Sequence, residues 1–130
     1  MKGGKKKRMR MWMVDPRIMC RKHLLGEHLE IHIFASLIRE KKQISGYIKG
    51  NLLEIQSLET RHKELAQEMV RRGYRHQTPL EFSPDKEAQH LDPEQRNKKI
   101  DPTESLRVLI SRCNECKNQY HHLLSSLQKS

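Results

Sequence analysis

Apolar residues in this chain recur every three or four positions, and they do not alternate with polar ones over any convincing stretch. Leu24, Leu25, Ile31, Phe34, Leu37 and Ile38 mark one such run over residues 18–40. Leu58, Leu65 and Met69 mark a second over 58–72. Leu106, Leu109, Cys113, Tyr120, Leu123 and Leu127 mark a third over 101–130. A helix repeats every 3.6 residues and a strand every two, so these positions line one face of a helix. The pattern predicts an all-α fold: a single compact domain of about three main helices, with no strand.

Punctuation agrees with the periodicity. Asp precedes Pro at 15–16, 92–93 and 101–102. An Asp side chain accepts from the free N–H groups of a helix start, and Pro in the first turn gives up an N–H that has no partner there. The first pair is expected to open the 18–40 helix, and the second a short helix. The third, within "DPTE", adds acidic Glu104 and opens the last helix. Gly26 marks a point of bending in the first helix. Ser57 is placed to cap the second helix and Gly73 to end it. "KKQISGYIKGN", with Gly46 and Gly50, reads as a loop. The expected organisation is a basic disordered extension over 1–8, a helical core over 9–80, a polar linker over 81–100 and a C-terminal helix over 101–130.

Only 35% of the chain is hydrophobic, which suits one domain with a modest core. The formal net charge of +10 favours an anionic partner, nucleic acid ahead of a membrane surface. The opening "MKGGKKKR" reads as an arm suited to phosphate contact or to a nuclear-type address. No apolar run approaches the ~20 residues that span a bilayer, and no apolar segment follows the basic start as in a secretory signal. Three cysteines, an odd number, point to a reducing intracellular compartment, cytoplasm or nucleoid.

Two groups of residues carry possible chemistry. Cys113-x2-Cys116, with His121 and His122, has the spacing of half a zinc site. The same positions continue the apolar stripe, so both thiols are expected to pack on a helix face, with no metal and no cofactor. His23, Glu27 and Glu30 fall at i, i+4 and i+7 on one side of the first helix, with His28 and His32 on a neighbouring side. HExxH is absent, and the spacing alone reads as a solvated polar face. A carboxylate on a strongly basic protein also suits a division of labour, in which bases hold phosphates and the acid does chemistry.

The stretch from Met9-Arg10 to "HLLGEHLE", and the later "LETRHKELAQEMVRRGYRH", carry a resemblance. Together they resemble the phage pyrimidine-dimer DNA glycosylases called endonuclease V and, more closely at "MRMWMVDP", their shorter bacterial relatives. The resemblance covers residues 9–80. It implies a DNA repair glycosylase with AP-lyase, and so endonuclease, activity on cyclobutane pyrimidine dimers. It implies that the α-amine of Met9 attacks C1′ of the damaged nucleotide and forms an imine, with Glu30 assisting. Arg10 and His23 match positions that hold the DNA backbone. Lys22 stands where the family has glutamine and is the third DNA-binding candidate. Leu29 and Ile33 stand where the family has arginines. The implied partner is UV-damaged double-stranded DNA, bound by a monomer away from membranes.

An α-amine suits this role because its ordinary pKa is about 7.7–8.0, against about 10.4 for lysine. With residues 1–8 attached, the Met9 nitrogen is an amide and forms no imine. Two other classes stay open at this point: a non-catalytic DNA-binding module of the same fold, and a helical interaction protein using residues 101–130.

Overall fold

The computed structural model describes residues 8–75 and 78–128. The expected basic extension lies outside these residues except for Arg8, whose guanidinium sits 5.0 Å from the Tyr47 ring centroid. All regular structure among the described residues is helical. In chain order the helices are α1 (Arg21–Arg39), α2 (Ser45–Lys49), α3 (Leu58–Arg71), α4 (Pro84–Glu87), α5 (Pro93–Asn97), α6 (Pro102–Arg112) and α7 (Asn114–Gln128). Two 3-10 turns, Pro16–Ile18 and Ile55–Ser57, precede α1 and α3.

Several local expectations hold, and others are corrected. Asp15 does cap Pro16–Ile18, accepting from the Arg17 N–H at 2.9 Å, but this is a single 3-10 turn. The chain then extends through buried Met19 and Cys20, and α1 starts afresh at Arg21. Burying those two side chains against the core outweighs continuing the helix. Gly26 lies inside an unbroken α1. The expected loop around Gly46 contains α2, because Ile44 and Ile48, one helical turn apart, are both buried. Gly73 ends α3 at φ +85°, with the Tyr74 N–H donating to the Met69 carbonyl at 2.8 Å and the Gly73 N–H to Val70 at 2.9 Å. Ser57 precedes α3 but donates its hydroxyl to Glu54 rather than capping. The expected single C-terminal helix is two helices, divided at Cys113, which is extended at φ −126°, ψ 110°.

The core forms between α1 and α3, where Leu24, Ile31 and Phe34 meet Leu58, Leu65 and Met69. The polar stretch 81–100 adds Phe82, Ala88 and Ile100 to it. It is tied down by carboxylates, buried Glu54 and exposed Glu59. Glu59 accepts from the Phe82 N–H at 2.9 Å and Glu54 from the Ile100 N–H at 2.7 Å.

Residues 9–14 run across this core as a segment outside any helix, turning at Met13 through a φ of 56°, with no sheet to join. Its backbone polar groups need partners all the same. The Met11 N–H donates to the Leu52 carbonyl at 2.8 Å. Other contacts come from side chains. Arg61 of α3 reaches the Val14 carbonyl at 2.7 Å, and Ser105 of α6 donates to the Trp12 carbonyl. Just beyond, Arg72 donates to the carbonyls of Pro16 at 3.0 Å and Met19 at 2.7 Å.

Arg61 is itself buried, and so is Glu27 on α1. The two pair through both carboxylate oxygens, at 2.7 and 3.0 Å. Removing one partner of a buried pair strands a charge in a poorly solvated place, at about 3–5 kcal/mol. Arg61→Met is therefore expected to lower the unfolding free energy by about that much in urea denaturation. Adding Glu27→Met should restore a substantial part of the loss, since no lone charge is then left.

Candidate active site

Helix α1 decides which acid is available for chemistry. Glu27 occupies a core position between Leu24 and Ile31 and is consumed by Arg61. It is thus not on a solvated polar face, as the spacing alone suggested. Glu30, three residues on, is half-buried and turned to the N-terminal segment. Its Oε1 accepts the backbone N–H of Arg10 at 2.8 Å. Burial pushes the Glu30 carboxyl above the ordinary range. The Arg10 N–H opposes this and the Glu27 charge adds to it. Met9, the residue before that hydrogen bond, is half-buried against the core.

Trp12 organises the other side of the segment. The Arg10 guanidinium lies 3.7 Å from the Trp12 ring centroid and donates to Ser105 Oγ at 2.9 Å. Burial, and then the charge of Arg112, lower the pKa of Arg10. The His23 ring meets Trp12 edge-on at 5.7 Å. Its Nδ1 lies 3.2 Å from Cys20 Sγ and 3.7 Å from Cys116 Sγ. Lys22 is exposed at the start of α1. Of the sequence-derived candidates, Met9, Arg10, His23 and Glu30 thus share one neighbourhood around the segment, and Lys22 is exposed in the first turn of α1.

Two groups of side chains have the composition of metal ligands. The donor atoms of Cys20, His23, Cys113 and Cys116 lie within 4.8 Å of one another, and so do those of His28, His32 and His62. In the second group His32 Nε2 and His62 Nε2 are 3.0 Å apart, and the His28 and His62 ring centroids 4.5 Å. A large open cleft between α3 and residues 79–87 is lined by His62, Lys63 and Val70, away from Met9 and Glu30.

Sequence reasoning missed Trp12, Ser105 and Arg61. For Arg61 a signal existed. It falls three residues after Leu58 and four before Leu65, at a core position where a charge demands a partner, and Glu27 breaks the α1 stripe in the same way. Ser105 carried no signal, since its role depends on contacts more than ninety positions away.

The family model described as pyrimidine dimer DNA glycosylase matches residues 9–82, more than half of the chain. This chain belongs to the pyrimidine dimer DNA glycosylase family. The match begins at Met9, the residue beside the Glu30 contact, and ends within the buried segment at Phe82. No curated protein and no solved structure matches the chain. For a member of this family DNA is the expected substrate class, which accords with the net charge of +10. Among the described residues no helix is long and apolar enough to cross a membrane.

Arg10 illustrates how the structure reapportions roles within this glycosylase-family chain. Its guanidinium has internal partners, an aromatic face and a hydroxyl, and so does more than meet solvent. Arg10→Ala should lower the unfolding free energy by about 1–2 kcal/mol, the combined scale of a cation–π contact and one hydrogen bond. Urea denaturation of the variant checks this.

Proposed function

We propose that the protein is a DNA glycosylase and AP lyase acting on cyclobutane pyrimidine dimers, through the α-amine of a chain that starts at Met9. The observation that carries this is the hydrogen bond from the Arg10 N–H to Glu30 Oε1, which sets a half-buried carboxylate one residue from that amine. The amine nitrogen attacks C1′ as the bond from C1′ to the base breaks, and the base leaves with the bonding pair and takes a proton. The alkylated amine gives up a proton, the C1′–O4′ bond breaks with O4′ taking a proton, and a C1′ imine is left. The imine acidifies the C2′ protons, and Glu30 takes one of them. Elimination of the 3′ phosphate breaks the strand.

Burial of Glu30 supports this role, because a carboxylate with a raised pKa accepts and returns protons more readily near neutral pH. The reacting C1′ is hidden in a stacked duplex, so the reading requires a distorted or flipped nucleotide. Lys22 is exposed and supplies a phosphate contact. Arg10 and His23 touch Trp12 and act on DNA largely through the position they give the segment.

Glu30→Gln is expected to remove nearly all strand cleavage while leaving DNA binding intact. Its stability should equal or exceed that of the wild type. The sign follows from the raised pKa. The folded state holds the Glu30 proton more tightly than the unfolded chain, so ionised Glu30 lowers stability as pH rises through that interval. A glutamine keeps the oxygen that accepts from Arg10 and carries no charge. In the wild type, the acid limb of the kcat/KM profile should lie above the ~4.3 of an ordinary Glu. Cleavage assays and thermal melts of the pair test both halves.

A chain beginning at Met9 should form a borohydride-trapped adduct with abasic DNA far faster than the 130-residue chain. In the longer chain the Met9 nitrogen is an amide and the α-amine belongs to Met1, eight residues away, while the lysine amines between them are neutral a few hundredfold less often at pH 7 than an α-amine. Equal trapping, with the adduct on Lys5, Lys6 or Lys7, would rule out the Met9 amine. No trapping by either chain would favour the non-catalytic DNA-binding reading.

A further inference from the structure

The proposed chemistry leaves all three cysteines unused. They are free thiols, two of them buried, and they converge with His23 from opposite ends of the chain. We propose that Cys20, His23, Cys113 and Cys116 bind one zinc ion, in a closed Cys3His site that staples the start of α1 to the corner between α6 and α7.

Two of the separations match a tetrahedron around zinc, and a third, at 3.2 Å, is a few tenths of an ångström short of it. Bonds of about 2.3 Å to sulfur and 2.0–2.1 Å to nitrogen set ligand separations of roughly 3.5–3.8 Å. Cys20 and Cys113 sulfurs are 3.8 Å apart, and His23 Nδ1 is 3.7 Å from Cys116 Sγ and 3.2 Å from Cys20 Sγ. A disulfide needs sulfurs about 2.0 Å apart. It would also leave one thiol and the imidazole without a purpose.

The local backbone is built to hold thiolates. Each pair has the same construction: a cysteine just before a helix and a second ligand three residues later. Cys20 Sγ accepts the His23 N–H at 3.5 Å at the start of α1, and Cys113 Sγ accepts the Cys116 N–H at 3.4 Å at the start of α7. The buried Cys20 N–H donates to Cys116 Sγ at 3.2 Å. Three backbone donors and two helix N-termini therefore face the sulfurs and offset their negative charge. When zinc enters, the thiol protons leave to solvent, and three thiolates with one dication keep a single negative charge.

Three soft thiolates and an imidazole select zinc over calcium or magnesium. Four protein ligands leave no open position, so the ion is structural and not a Lewis acid for the reaction. The extended backbone at Cys113 gains a purpose here. A helix running through 113 would keep both thiols on one stripe, whereas the break turns them inward to Cys20 and His23. Cys113 and Cys116 lie beyond residue 82, so the ion would lock the C-terminal helices onto the family-matched part.

The test is the zinc content of the full chain, purified without chelator or polyhistidine tag. One zinc per chain is expected in the wild type, and none in His23→Ala or Cys116→Ala. His28→Ala with His62→Ala should retain the ion. X-ray absorption of the wild type needs no variant, and should show three sulfurs at about 2.3 Å and one nitrogen at about 2.0–2.1 Å. Metal-free protein with three titratable thiols overturns the proposal. So does zinc in a shell of nitrogen and oxygen alone, which would assign it to the three-histidine group. A chain lighter by two hydrogens, marking a disulfide, overturns it as well. None of these readouts uses cleavage of DNA, so this result and that of the proposed function stand or fall apart.

Discussion

The N-terminal segment depends on Arg61. A buried guanidinium is tolerable only when its donors are used, and here it grips both oxygens of Glu27 and the carbonyl of Val14. A lysine in its place offers a point charge without the planar fork that spans two oxygens. Three elements are thereby joined at one atom group: α3, which carries it, α1, and the segment leading from Met9. Arg72 and Ser105 extend the same device along the chain, each giving side-chain donors to carbonyls that in another fold a neighbouring strand would satisfy.

From that anchorage a line of contacts runs through the site. The Cys20–Cys116 cluster fixes the His23 ring, and His23 meets Trp12 edge-on. Trp12 carries the Arg10 guanidinium on its face, and the backbone N–H of Arg10 holds Glu30. The Glu30 carboxylate and a cluster with the composition of metal ligands are thus only three contacts apart. Neither duplicates the other: Glu30 is half-buried beside the N-terminal segment, and the cluster has two of its four members buried.

The helical class and the spans of α1 and α3 were legible in the sequence, because each of these two helices buries one stripe and local spacing suffices to find it. The caps at Asp92 and Asp101 were legible for the same local reason. The division at Cys113 was not, since every residue around it continues a helical pattern and the break serves partners near residue 20. The short helix α2 was hidden behind two glycines, though the spacing of Ile44 and Ile48 carried its trace. At the site, the pairing of Glu30 with the Met9–Arg10 segment was legible through the family resemblance alone. Glu27 and Arg61 were readable as misplaced charges in apolar stripes. Trp12, Ser105 and the meeting of two Cys-x2 pairs required the third dimension.

The side-chain grip on the Trp12 carbonyl has a consequence for the order of assembly. The ribosome makes Trp12 ninety-three positions before Ser105, whose hydroxyl holds its carbonyl. Closing so long a loop comes with a cost in chain entropy that local helix formation does not face. Helices α1 and α3 can pair while the chain is still growing, but the segment beside Glu30 acquires its last constraint only when α6 docks. The segment beside Glu30 is synthesised well before α6 and gains its last constraint only with it, so a chain lacking α6 holds the same residues without holding them still.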